Sequence, residues 1–207
     1  MNLPNLISMG RIAACPAVFV LAFSSSAGWL LVAFLLFVAA SLSDLWDGYL
    51  ARKHGLVTDM GKLLDPLADK LLLVSTLIPF YIISRQGGDV GLLPWWGEFP
   101  LWALVVIFGR EAAMTLFRGF AARRGVVISA GQWGKVKAFV QNLFSGSVLL
   151  WYAVATMAID RGWDGALWNA WAHFHGAFVG VSLTLAIVLT VYSMLVYLWN
   201  YRLLLER

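Results

Sequence analysis

Residues 43–70 read SDLWDGYLARKHGLVTDMGKLLDPLADK, and Asp44, Asp47, Asp65 and Asp69 stand in it where two apolar segments meet. On a helix Asp44 and Asp47 are spaced i, i+3, and Asp65 and Asp69 are spaced i, i+4, so each pair shares a face. Turned toward each other, the two faces make a box of four acids. An ionised side chain near the middle of a membrane helix costs about 2.5 to 3.5 kcal/mol, so four would cost roughly 10 kcal/mol before their mutual repulsion. A positive charge must sit between them. His54 is the one His or Cys in the stretch, so the site is all-oxygen and suits a hard cation, Mg²⁺ first and Mn²⁺ or Ca²⁺ after it. Four carboxylates are enough to bridge two such ions, the arrangement that suits displacement at phosphorus.

The residues between the acids point the same way. Gly48 and Ala51 fall on the acid-bearing side of the first helix and leave room for a ligand, while Arg52 lies at the edge of that face, where a guanidinium meets a phosphate. Gly61 repeats the device one turn before Asp65. The resulting pattern, D-x2-D-G-x2-A-R-x8-G-x3-D-x3-D, resembles the signature of the CDP-alcohol phosphatidyltransferases, and Asp44, Asp47, Gly48, Ala51, Arg52, Gly61, Asp65 and Asp69 fill its fixed positions. The resemblance implies that Asp44, Asp47, Asp65 and Asp69 hold two Mg²⁺ ions, with Mn²⁺ as a substitute. It implies Asp69 as the catalytic general base, and Gly48, Ala51, Arg52 and Gly61 as the seat of CDP-diacylglycerol. The plainer alternative is a polar seam in a helix bundle, its acids paired to Arg52, Lys62 or Lys70; such pairs do not require this spacing.

The rest of the chain frames that box. With 207 residues, 61% of them hydrophobic and 13% charged, and a mean hydropathy of +0.79, it is far too apolar for a soluble domain of this length. Six apolar segments are expected to span a membrane: 6–23, 29–49, 60–83, 101–120, 136–159 and 177–198. The expected architecture is an all-α, polytopic bundle of six transmembrane helices in one domain, residues 1–207, with a short N-terminal interfacial segment, MNLPNLISMGR. In the family resembled, a segment of the same outline packs beside the active site, and Asn2, Pro4, Asn5, Ile7 and Arg11 follow it with Ser8 in place of Thr. Of the lysines and arginines, only Arg85 and Arg161 fall on the side away from the acids. By the positive-inside rule both termini and the box are cytoplasmic. The expected location is a bacterial cytoplasmic (inner) membrane. A pI near 9.4 then reflects anionic membrane lipids and calls for no nucleic acid. Trp29, Trp95, Trp96, Trp102, Trp163, Trp168 and Trp171 cluster as an outer aromatic belt. His173 and His175 are expected in an outer connection, where two lone histidines rarely make a metal site. The single Cys15 excludes an internal disulfide.

A second polar constellation lies in GREAAMTLFRGFAARRGVVISAGQWGKVKAFVQ, residues 109–141. Arg110 and Arg118 are about 80° apart around a helix, and Lys135 and Lys137 open the next one. Cations embedded beside apolar residues, with Glu111 as their local partner, call for an anion such as a phosphate monoester. The run R-E-x3-T-x2-R followed by G-K-x-K-x3-Q resembles the branch of the family that makes phosphatidylglycerophosphate, with Ala138 and the pair Gly119-Phe120 as departures. That resemblance implies transfer of the phosphatidyl group from CDP-diacylglycerol to sn-glycerol 3-phosphate, releasing CMP, with Arg110, Arg118, Lys135 and Lys137 binding the glycerol phosphate. It also implies a homodimer, the usual state in the family. Two alternatives keep the chemistry and change the acceptor, to an inositol phosphate or to phosphatidylglycerol as in cardiolipin synthase. An intramembrane-carboxylate cation transporter would instead spread its acids through the membrane depth and break its helices in paired halves, which this chain does not do.

Overall fold

The structure, a computed structural model, describes residues 3–53, 58–88, 90–125 and 131–202; side chains at 3, 4, 45, 47–53, 59 and 62 lie outside that description. Six helices make up the described residues: α1 (Leu3–Leu21), α2 (Ala27–Lys53), α3 (Asp59–Ile83), α4 (Leu101–Arg123), α5 (Gln132–Arg161) and α6 (Ala166–Asn200). Four of them hold stretches long and apolar enough to cross a membrane, in α2, α3, α5 and α6, while the apolar part of α1 is shorter. The outward faces of α2, α4 and α6 carry large apolar side chains such as Leu35, Val105, Leu185 and Leu195. This is the surface a helix bundle offers to lipid, where every backbone group is already bonded inside its own helix.

The helices are longer at several ends than the apolar pattern predicts. From Leu3 onward the opening segment is the first part of α1, so Asn5, Ser8 and Arg11 are carried on a helix; Asn2 lies outside the described residues. The apolar window in α2 ends on Asp44, and the one in α3 begins two residues before Asp65. The acids therefore sit at the margin of the apolar layer, where an ionised group costs less than at its centre. The long outer connection expected at 160–175 shrinks to a turn closed by Gly162, whose φ of 62° suits a residue without a side chain. His173 and His175 belong to α6 as a result. His175 is buried, with Nε2 2.9 Å from the Ser147 carbonyl oxygen, and His173 Nδ1 is 2.7 Å from that of Asn169.

Packing is sequential around the bundle. α1 lies against α2 and α3, α2 against α5, and α5 against α6, while α4 rests mainly on α6. Phe80 of α3 meets both Phe144 and Tyr152 of α5 edge-on, and Phe99 joins the cluster from the α3–α4 connection. Gly146 lets the Phe37 ring of α2 come within 3.4 Å of the place a Cβ would occupy. At the opposite end from the acids, Leu93 and Gly97 exchange backbone hydrogen bonds of 2.7 and 2.8 Å. Trp95 at the tip of that turn has a left-handed φ of 69°. Such a backbone costs energy for a bulky residue, and here it is packed on one side only, since most of Trp95 is exposed. The packing is the ring of Trp95 against Gly180 of α6, so close that a Cβ there would lie 2.7 Å from a ring carbon and 3.1 Å from the Trp95 Cβ.

That contact predicts a difference between two chemically identical substitutions. Gly180→Ala should destabilise the fold by about 1–3 kcal/mol relative to Gly109→Ala, since no heavy atom lies within 4 Å of the Gly109 Cβ position. Thermal unfolding of both variants in detergent checks it, and equal midpoints would refute the clash.

Candidate active site

Three helices build the acid-rich site, and the third is α1. Asn5, Ser8 and Arg11 recur every three residues, so they form one stripe on α1. All three are buried, and all three bond to the segment that carries the signature. Ser8 Oγ donates to Asp65 Oδ1 at 2.8 Å. Arg11 Nη1 donates to Asp44 Oδ1 at 2.5 Å and to Asp69 Oδ1 at 3.0 Å. The carboxylates of α2 and α3 thus converge on one nitrogen of α1. The Arg11 side chain is 0% exposed, whereas those of Asp44 and Asp69 are 38% and 59% exposed. The acids are held from below and open above.

Asn5 does the equivalent for the start of α3. Thr58 is the N-cap of that helix, with extended backbone, and its Oγ1 accepts from the Gly61 amide at 3.1 Å. The same hydroxyl donates to Asn5 Oδ1 at 2.9 Å. A Cβ on Gly61 would lie 3.1 Å from that carboxamide oxygen and 3.3 Å from Thr58 Oγ1. The glycine of the signature therefore makes room for a polar clasp between α1 and α3. Asp47, Gly48, Ala51 and Arg52 stand on α2, and their side chains lie outside the described residues.

The basic cluster divides. Lys137, with 5% of its side chain exposed, donates to Glu111 Oε1, and Arg110 Nη1 donates to the same oxygen at 3.1 Å. Arg110 Nη2 reaches Ser193 Oγ of α6 at 3.3 Å, and Gln141 Nε2 reaches Thr190 Oγ1 at 3.2 Å. Arg118 and Lys135 are exposed, with Arg118 beside the Tyr197 hydroxyl. Two of the four predicted cations are thus gathered around one carboxylate, and the other two stand toward the surface. The acid and basic clusters are neighbours. Lys70, next to Asp69, donates to Thr115 Oγ1 of α4 at 2.8 Å, and Thr115 bonds back to the Glu111 carbonyl. Lys137 lies within the electrostatic reach of Asp69.

Sequence spacing alone passes over several of these contributors. Lys70, Ser193 and Thr190 belong to no motif named above, and the Thr58 cap is visible only as a threonine ahead of an apolar run. Among the described residues no three His, Cys, Asp or Glu side chains gather as metal ligands on their own. Asp44 and Asp69 converge on Arg11 instead, and a guanidinium marks the place as one that accepts positive charge. With oxygen donors only, the acids fit a hard divalent ion.

These features define a helical membrane protein with an acid cluster set against a basic one. The family model for CDP-alcohol phosphatidyltransferases matches residues 1–201, and the chain belongs to that family. It is 35% identical over 182 residues to a Bacillus subtilis (strain 168) protein named "CDP-diacylglycerol--glycerol-3-phosphate 3-phosphatidyltransferase", covering 82% of this chain and 87% of the relative. A Rickettsia bellii protein of the same name is 36% identical over 149 residues, 72% of this chain and 75% of the relative. A "Probable phosphatidylglycerophosphate synthase" of Mycobacterium tuberculosis (strain ATCC 25618 / H37Rv) is 37% identical over 153 residues, 72% of this chain and 66% of that one.

The clasp at Thr58 yields a direct expectation. Thr58→Ala removes both the cap and the link to Asn5, and should lower stability by about 1 kcal/mol, while Thr58→Ser should retain most of it. Thermal midpoints of the two variants in detergent check this; an Ala variant as stable as the parent would remove Thr58 from the frame of the site.

Proposed function

We propose that this enzyme transfers the phosphatidyl group of CDP-diacylglycerol to sn-glycerol 3-phosphate, giving phosphatidylglycerophosphate and CMP. The observation that carries the reading is the pairing of the open carboxylates of Asp44 and Asp69 with a cationic cluster built around Arg110 and Lys137. The names of the relatives support the same donor and acceptor.

In this reading Asp44, Asp47, Asp65 and Asp69 hold Mg²⁺, two ions in the full set, with Mn²⁺ able to replace it. The bound metal neutralises the diphosphate and the departing CMP. Gly48, Ala51, Arg52 and Gly61 seat the cytidine nucleotide. Arg110 and Lys137 draw the acceptor phosphate inward, and the exposed Arg118 and Lys135 meet it from the surface. Holding the phosphate there brings an acceptor hydroxyl up to Asp69. Asp69 takes its proton as the oxygen attacks the phosphorus that carries the diacylglycerol, and the bond from that phosphorus to CMP breaks. Fixing both substrates in one geometry is itself a large part of the acceleration. The lipid donor reaches the box sideways from the bilayer, and the soluble acceptor arrives from the aqueous side. The uneven distribution of Lys and Arg supports a bacterial inner membrane with that side cytoplasmic.

Two measurements follow. With CDP-diacylglycerol and Mg²⁺, CMP release should require sn-glycerol 3-phosphate and fail with glycerol, inositol phosphate, serine or phosphatidylglycerol; release with another of these would reassign the acceptor. Asp69→Asn should cut turnover by about 10²–10⁴-fold while CDP-diacylglycerol still binds, and Arg118→Ala should raise the KM for the acceptor more than that for the donor. Normal turnover in the Asn variant would sink Asp69 as the base.

A further inference from the structure

The stripe on α1 contains a choice that structural support alone does not explain. Two of its members, Asn5 and Ser8, hold their partners with neutral groups. The third carries a full charge, and it is the one aimed at two acids on two helices. A guanidinium keeps its proton in any protein environment, so Arg11 cannot make way for another cation by neutralising itself. Its side chain is wholly buried, beneath carboxylates that are 38% and 59% exposed. The Arg11 carbonyl accepts from Cys15 Sγ one turn further into the apolar layer. A cation arriving from the aqueous side therefore meets the open faces of Asp44 and Asp69 while Arg11 grips them from the other.

We propose that Arg11 is a resident counter-ion that holds Asp44 and Asp69 together before metal binds and gives up that grip as the divalent ion takes its place. The affinity of the site for metal is then set by competition with this guanidinium. The inference rests on the reading that these acids are metal ligands. Without Arg11, carboxylates on α2 and α3 would repel across the helix contact whenever the site lacked its ion. With it, these three groups set one guanidinium against two carboxylates, a balance that still attracts a dication. Arg11 is in this sense a positioning residue: it acts on the ligands and needs no contact with either substrate.

Mn²⁺ binding, followed by the loss of the free-ion electron paramagnetic resonance signal, tests this on purified full-length protein in detergent. Wild-type protein should bind Mn²⁺, and Asp44→Asn should bind it more weakly. Arg11→Gln should bind about tenfold or more tightly than wild type, because no resident charge has to be displaced. The same variant should melt below wild type in EDTA and recover more than wild type does when Mn²⁺ is added, since binding to the folded state alone stabilises it. Arg11→Lys keeps the charge but forks less well between two acids, so it should fall between the two. Equal or weaker Mn²⁺ binding by Arg11→Gln would overturn the competition, and would make Arg11 a fixed brace. Should that variant fail to fold even with Mn²⁺ present, the Lys variant decides, and equal or weaker binding by it overturns the proposal in the same way. Absence of Mn²⁺ binding by wild type, or undiminished binding by Asp44→Asn, would instead overturn the reading of the acids on which the proposal stands.

Discussion

A guanidinium buried between two carboxylates ties the acid-bearing half of this molecule together. Arg11 reaches from α1 to Asp44 on α2 and Asp69 on α3, so the relative placement of three helices is fixed by one charged group. At the edge of an apolar layer this is a demanding arrangement, because removing Arg11 would leave two carboxylates facing each other with uncompensated charge in a poor solvent. Ser8 and Asn5 extend the same face of α1 with neutral hydrogen bonds to the α3 side, so the acid-bearing end of α3 is supported along nearly two turns of a single helix. The site is less a pair of helices carrying acids than a template helix on which those acids are laid out.

The acid spacing made that part of the site legible before any coordinates, since a period of three or four residues puts carboxylates on a shared face whatever the surroundings. The branch of the family was legible too, because Arg110, Glu111, Lys135 and Lys137 recur at fixed intervals. Helix lengths were less so. The expected span closes at residue 49, yet α2 continues to Lys53, because a helix can run past the apolar layer and hydropathy follows only its apolar part. The histidines fail for a related reason. His173 and His175 read as loop residues by polarity, but each has a backbone carbonyl within hydrogen-bonding distance, at Asn169 and Ser147, which makes a helical position affordable.

The two ends of the bundle are held by different physics. Away from the acids, close packing adds to the hydrogen bonds: Gly180 admits the Trp95 ring at a distance that leaves no room for a methyl group, Gly176 sits tightly against Pro94, and the Trp96 indole donates to the Gly180 carbonyl at 3.3 Å. Close packing of this kind is stiff and insensitive to salt or to ligands. Near the acids, contacts are hydrogen bonds and ion pairs that a substrate or ion can exchange one for one. A membrane transferase gains from this division. The rigid end keeps the helices in register, and the polar end can change partners without disturbing the fold.

In the proposed function, Glu111 brings the same logic to the acceptor side. Four cations with no anion among them would bind phosphate tightly, but they would also repel one another where water is scarce. Glu111 takes up the charge of Arg110 and Lys137 together, which lets two buried cations coexist and leaves the pair with one net positive charge. A phosphate entering the cluster must share these donors with Glu111, so part of its binding energy goes into loosening an existing pair. Interactions spent in that way weaken ground-state binding, and they favour release once the acceptor phosphate is part of the product. Arg11 between its acids and Glu111 between its cations are thus mirror images: each is an ion that balances a cluster of the opposite charge.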